Sequence, residues 1–372
     1  MKVLLLSCST GEGHNRAAQA LAEEMERRRI PYQSADPVSF RSIRAQATVA
    51  SLYNNMIRKV PRAFGLVYGA GALYSRWHRF PSPVYAANAL YADKLGAFIR
   101  SGGFTCAVAT HLYGMEALTA LKRRGKLDVP AYGVLTDYTS TPFIEETDMD
   151  KMFVPAGEAK DMLIRRGWKP ERIVVSGIPA SRAFYEDKPR AQARAELQIP
   201  LDATVFLLMA GGIGNDRLLQ LCRDFVSSSR QGELALVMIG RNEAMRKRLR
   251  AACGDTPLLR TVSFTDRIAD YMHACDVLIS KAGGLSSTEA AVAGASLVHY
   301  GSIPGCETKN AAFFASHGLS FAARSRAQAL EMARTLAYDR AQAEAMRAAQ
   351  REWIPPLAAA DIVTQVCGGD AL

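Results

Sequence analysis

Short, mainly apolar runs, several with a polar residue at an end, recur along the chain at residues 3–6, 107–111, 131–137, 151–155 and 173–177, and again at 204–210, 235–240, 261–265, 277–279 and 296–300. Short runs that are mostly apolar read as strands of a parallel sheet covered on both faces. Between them lie stretches of helical period near 16–29, 114–123, 158–166, 242–252, 268–275 and 311–317, and an alanine-rich stretch from 326 to 352. Strand and helix alternate, so the expected class is α/β with parallel sheets. Residues 179–200 are polar, with Pro179, Pro189 and Pro200. They break the pattern and divide it in two. The expected layout is a first Rossmann-like domain over 1–185, a linker over 186–200 and a second such domain over 201–353. The Trp353-Ile354-Pro355-Pro356 break and a last helix follow, 354–372, which is expected to pack back on the first domain.

Three of the strand ends run into glycine turns: Ser9-Thr10-Gly11-Glu12-Gly13-His14-Asn15-Arg16, Gly211-Gly212-Ile213-Gly214-Asn215, and Lys281-Ala282-Gly283-Gly284-Leu285-Ser286-Ser287-Thr288-Glu289. In the third, Ser286, Ser287 or Thr288 is expected to cap a helix with Glu289 in its first turn. Free N–H groups and the helix dipole at such a place suit a diphosphate, and Glu289 suits two vicinal hydroxyls of a ribose. The competing reading is a plain βα turn whose glycines only permit close packing. The first turn is a poor dinucleotide fingerprint, because Arg16 stands where a third glycine belongs. Its notable residue is His14, at the mouth of a parallel sheet, where an imidazole can act as general base near neutral pH; the alternative is a helix cap or an exposed histidine. His111 and Asp137 also fall at carboxyl ends of strands, where open α/β sheets carry their sites. Asp148-Met149-Asp150 has metal-binding spacing but leads straight into a strand and is read as a loop.

Composition narrows the partners. The 372 residues carry a formal charge of +10, which favours an anionic partner. From Pro37 to Ala92 there is no acidic residue, while Arg58, Lys59, Arg62, Phe64, Tyr68 and Trp77 lie within that window. Cations and aromatics together suit an anionic membrane surface. A solvated helical excursion and single-stranded nucleic acid are the competing readings. No apolar run is long enough to span a bilayer, and Met1-Lys2 leads into an apolar run too short for a secretory signal. The seven cysteines form no CxxC pair, against a zinc site or disulfide framework and for a reducing cytoplasm.

The motifs Ser9 to Ala18, Thr136-Asp137-Tyr138, Gly283-Gly284-Leu285-Ser286 with Thr288-Glu289-Ala290, and Pro304-Gly305-Cys306-Glu307 with Asn310 resemble glycosyltransferase family 28. The branch is that of monogalactosyldiacylglycerol synthases and processive diacylglycerol glucosyltransferases, with a more distant likeness to the lipid II N-acetylglucosaminyltransferase. The resemblance spans nearly the whole chain. It implies the GT-B fold, two Rossmann-like domains facing a central cleft, and an enzyme that moves a hexose from a UDP-sugar to a lipid acceptor with inversion at C1. Glucose is favoured, then galactose. The resemblance makes His14 the catalytic base; the position of Asp137 at a strand end suggests that it orients or charge-stabilises that ring. The UDP-sugar contacts implied are Gly13, Gly211, Gly212, Gly214, Asn215, Phe264, Thr265, Gly283, Gly284, Leu285, Ser286, Ser287, Thr288, Glu289, Glu307 and Asn310. Backbone N–H groups would hold the diphosphate, so no metal or cofactor is expected. Arg58, Lys59, Arg62, Phe64, Tyr68, Trp77 and His111 would face the acceptor and an anionic membrane, with the protein peripheral on the inner face of the cell membrane. Nucleic acid is not expected as a partner. Cys306 and Thr141 depart from the family pattern, at a sugar contact and on the acceptor side. Three other activities compete: N-acetylglucosaminyl transfer to a polyprenyl-linked lipid, a UDP-sugar epimerase, and a non-catalytic nucleotide-sugar sensor.

Overall fold

The computed structural model describes residues 1–9, 12–42, 44, 46–48, 51, 69, 71, 81–139, 141–209 and 215–368. The chain divides into two compact units, one of Met1–Ser181 with Pro304–Cys306 and Pro355–Leu372, the other of Arg182–Ile303 with Glu307–Ile354.

The first unit is built on strands β1 (Val3–Leu6), β2 (Tyr32–Ala35), β3 (Cys106–Ala109), β4 (Ala131–Val134), β5 (Lys151–Val154) and β6 (Ile173–Val175). They are all parallel, in the order β2-β1-β3-β4-β5-β6. Alternation along β1 sends Val3 and Leu5 to one face and Leu4 and Leu6 to the other, as a strand must. Helix α1 (Glu12–Arg27) covers the first face. Helices α2 (Pro83–Ala89), α3 (Ala92–Ser101) and α4 (Leu112–Arg123) contribute to the core on the second. Helix α5 (Gly157–Arg165) bridges β5 and β6. At Gly114 a Cβ would stand 3.1 Å from the Ala109 side chain and 3.2 Å from that of Leu6. The glycine thus lets the start of α4 lie directly on the sheet.

The second unit has strands β7 (Thr204–Met209), β8 (Glu233–Gly240), β9 (Leu259–Ser263), β10 (Val277–Ser280), β11 (Ser296–His299) and β12 (Phe321–Ala322). These too are all parallel, in the order β12-β11-β10-β7-β8-β9. The expected α/β class therefore holds in both halves. Within the polar 186–200 stretch, Arg190–Glu196 forms helix α6. Its Arg194 is 5% exposed, pairs with Asp276 at 2.8 Å and donates to Ala274 O at 3.0 Å. Buried and paired, this arginine anchors a helix where composition alone suggests solvent.

Helices α7 (Asn215–Ser228), α8 (Glu243–Cys253), α9 (Ile268–Ala274), α10 (Gly284–Val292) and α11 (Cys306–Ser316) connect the strands. The stretch read as continuous helix from 326 to 352 is two helices, α12 (Arg326–Tyr338) and α13 (Arg340–Trp353). Asp339 leaves helical geometry, and its carboxylate caps α13 by accepting from Ala341 N and Gln342 N. That is what short aspartate side chains favour over a helix interior. Helix α14 (Ala358–Val366) belongs to the first unit. Arg28 fixes it to α1 through Thr364 Oγ1 at 2.7 Å and Ala360 O at 3.0 Å.

Candidate active site

Helix α1 begins at Glu12, four residues before the sequence pattern suggests, with its acidic first residue suited to the helix dipole. Gly13 and His14 therefore sit inside its first turn. His14 Nδ1 lies 2.9 Å from Thr110 O and 2.9 Å from Thr136 Oγ1. A carbonyl only accepts, so Nδ1 carries the hydrogen and Nε2 keeps its lone pair. Burial lowers the His14 pKa, with the Thr110 hydrogen bond opposing; the ring is neutral at pH 7. Thr110 Oγ1 in turn donates to His14 O at 3.1 Å. The sequence reading gave the orienting role to Asp137. In the structure Nδ1 is held by Thr110 and Thr136, at the ends of β3 and β4, and Asp137 is the next residue along the same wall. The two threonines escaped notice because nothing in their local sequence marks them: their partner is 96 and 122 residues away.

His111 caps α4 by accepting Tyr113 N at Nδ1, which places its hydrogen on Nε2. Its ring meets His14 edge-on, with centroids 4.5 Å apart, and burial and the neighbouring His14 hold its pKa well below the usual value. Both imidazoles line a cavity of about 250 Å³ together with Thr136 and Asp137. Its other walls are largely apolar, with Leu112, Met115, Leu135, Pro142 and Phe143 among them. Thr141, one of the two departures from the family pattern, also faces it.

Behind this cavity, Glu116 is fully buried on α4. One carboxyl oxygen accepts from Asn88 Nδ2 at 2.5 Å; the other, Oε1, has no hydrogen-bond partner. Tyr91 donates to Asn88 Oδ1. Burial pushes the Glu116 pKa up from 4.5 to about 8. Unfolded, this group loses its proton near 4.5; folded, it keeps it until about 8. The native state thus binds more protons across that window, and stability falls as pH rises through it. Glu116→Gln is expected to stabilise the fold by a margin that grows from pH 5 to pH 8, on the order of a few kcal/mol at the upper end, and to raise the melting temperature accordingly. Thermal melts of both proteins across that range check this, and a pH-independent difference would refute the neutral Glu116.

In the second unit, β10 runs into the 281–283 turn and α10. The helix starts at Gly284 with Gly283 as its N-cap, two or more residues before the serines and threonine expected to cap it. Ser287 and Thr288 are fully buried and bond inward. Ser287 Oγ lies 2.9 Å from His299 Nε2, and Thr288 Oγ1 donates to Gly284 O at 2.9 Å. Glu289 is accordingly in the second turn, 2% exposed. A buried serine with a partner in the core is better satisfied there than as a cap. His299 is held neutral by burial, its pKa down to about 3, and its other nitrogen lies 3.0 Å from Ser320 Oγ. What remains for a ligand is backbone: the N–H groups of Gly284, Leu285 and Ser286 precede the first bond of the helix, Ser287 N to Gly283 O at 2.9 Å. A Cβ at Gly283 would meet nothing within 4 Å.

Glu307 and Asn310, expected at the sugar hydroxyls, also tie this turn to the next loop. Glu307 Oε1 pairs with Lys281, its Oε2 accepts Ile303 N at 2.8 Å, and fully buried Asn310 donates to Ala282 O at 3.1 Å. Cys306, the other departure, is the first residue of α11. Phe264 N donates to Gly240 O at 3.0 Å, while its ring stays 64% exposed under the Arg241 guanidinium, 4.3 Å from the centroid. Thr265 Oγ1 accepts Arg267 N at 3.0 Å. Asp148 and Asp150 serve the fold: they pair with Arg172 and Lys122, each at 2.7 Å. Among the described residues no three His, Cys, Asp or Glu side chains gather as a metal site, and no helix is long and apolar enough to cross a membrane. Gly211, Gly212, Gly214, the Asn215 side chain, Arg58, Lys59, Arg62, Phe64, Tyr68 and Trp77 lie outside the described residues.

Residues 14–180 match the family model for monogalactosyldiacylglycerol (MGDG) synthase, and residues 206–351 match that for the glycosyltransferase family 28 C-terminal domain. The chain is 24% identical over 361 residues to a processive diacylglycerol beta-glucosyltransferase of Bacillus licheniformis, covering 93% of this chain and 89% of the relative. The Bacillus subtilis protein of that name is also 24% identical, over 91% of this chain and 87% of its own. Among solved structures, Acinetobacter baumannii MurG superposes with a TM-score of 0.60 at 14% identity, over 98% of this chain and 99% of that one. A UDP co-structure of Staphylococcus aureus MnaA superposes with a TM-score of 0.66 at 12% identity, over 98% and 95%. At those identities the likeness is one of fold.

Proposed function

The chain belongs to glycosyltransferase family 28, with its GT-B fold, and we propose that it moves a hexose, glucose first, from a UDP-sugar to the free hydroxyl of a diacylglycerol-type lipid at the membrane surface. The observation that carries this is the neutral His14, its Nδ1–H engaged and its Nε2 lone pair available, on the wall of an apolar cavity. Nε2 takes the proton of the acceptor hydroxyl as its oxygen bonds to C1 of the sugar. The bond from C1 to the diphosphate breaks with inversion, so an α-linked donor gives a β-glycolipid, and UDP departs with the bonding pair. The diphosphate charge meets the N–H groups of Gly284, Leu285 and Ser286 and the positive end of α10. Neutralisation by backbone in this way gives a reaction that needs no metal. The relatives named for diacylglycerol support the acceptor, and the net charge of +10 supports an anionic membrane, on its inner face. An epimerase would have no use for an apolar cavity beside the base.

The test is product analysis by mass spectrometry, with diacylglycerol in anionic vesicles and UDP-glucose, UDP-galactose or UDP-N-acetylglucosamine in separate reactions. A hexosyl-diacylglycerol is expected from UDP-glucose. Isomerised UDP-sugar, or sugar on a polyprenyl lipid alone, would overturn the proposal.

A further inference from the structure

A second cavity, of about 490 Å³, lies in the first unit beside the one that holds His14. Val84 and Tyr113 line both and form the partition between them. Its remaining walls include Val38, Pro83, Ala87 and the Tyr91 ring. Among the polar side chains on those walls, Arg41 is exposed to solvent, while Asn88 and Thr48 are already engaged. Asn88 gives its amide to Val84 O and Glu116 and accepts from Tyr91, and Thr48 donates to Arg44 O. With Arg41 and the Tyr113 hydroxyl as the polar groups left over, the space bounded by Val38, Pro83, Val84, Ala87 and the Tyr91 ring suits a hydrocarbon better than a sugar rich in hydroxyls.

We infer that the second cavity takes one acyl chain of the lipid acceptor while the cavity at His14 takes the glycerol hydroxyl and the start of the other chain, so that the enzyme selects diacyl over monoacyl acceptors. This rests on the diacylglycerol reading above, which supplies two chains for two adjoining apolar spaces. The partition of Val84 and Tyr113 then works as a saddle over which the glycerol backbone sits, with one chain on each side.

The experiment fills the second cavity. Ala87, exposed on α2, and exposed Thr48 both line it, so Ala87→Trp and Thr48→Phe occupy its volume from two positions far apart in the chain without entering the core. kcat/KM is measured for dioleoylglycerol and for monooleoylglycerol in the same nonionic mixed micelles, with melting temperature as the folding control. In at least one folded variant the diacyl-to-monoacyl ratio is expected to fall by about tenfold or more, mainly through KM for the diacyl lipid, as when two methylenes lose their burial. A ratio unchanged in both variants, or both acceptors declining together, would overturn the inference. Absence of transfer by the parent enzyme to either lipid would refute the acceptor reading itself, a separate result.

Discussion

Replacing His14 by alanine is expected to lower kcat by about 10²- to 10⁴-fold, the usual worth of a positioned general base, while UDP binds as before. The division follows from placement. The imidazole is tied to Thr110 and Thr136 in the first unit, and the 281–283 turn proposed for the diphosphate is in the second. The parent enzyme should also lose kcat/KM at acid pH. Burial lowers the His14 pKa below 6.5, so the ring stays an active base through neutrality and is protonated, and inactive, only below that value. Steady-state rates from pH 5 to 8 and calorimetric titration with UDP check both parts. Turnover equal to the parent's would remove His14 from the mechanism, and lost UDP binding would make its role structural.

Gly283→Val carries the second large effect. The glycine at this N-cap has φ −71° and ψ 133°, geometry that valine adopts readily. The open space beside it means that no neighbouring protein atom must move. Melting behaviour is therefore expected to match the parent's, as for substitutions that disturb no packing. UDP affinity is expected to fall about 10- to 100-fold, the worth of one or two hydrogen bonds to a charged group, because the new methyls stand where an anion would approach Gly284, Leu285 and Ser286. Calorimetry with UDP reads this directly. Unchanged affinity would take the diphosphate away from this turn.

The glycine at 283 shows how far the sequence reaches. Two adjacent glycines after an apolar run predict a βα turn, and that turn is present; that the helix begins at Gly284 and buries Ser287 and Thr288 is not written locally. Those side chains turn inward because His299, 12 residues on, offers Ser287 a buried partner, and a partner at that range appears only once β10 and β11 are paired. Glu307 is a similar case. A carboxylate after a glycine loop suits a sugar; that its oxygens also bond Lys281 and Ile303 N is visible only once the fold brings these residues together. In the linker, composition alone misleads: a helix with one buried, ion-paired arginine looks like solvent-exposed chain until Asp276 is placed beside it.

What the sequence determined by itself was the α/β class, the alternation of most strands and helices, the glycine turn at 281–284 and the candidacy of His14. Each depends on the local period of apolar residues and on glycine, which act over a few positions. The tertiary structure alone decided which tautomer His14 adopts, which groups hold it and which space it faces. Parallel pairing of β1 with β3, and of β3 with β4, carries Thr110 and Thr136 to the same ring from 96 and 122 residues away. Hydrogen bonds between residues so far apart in the chain follow from strand register, which no local pattern encodes.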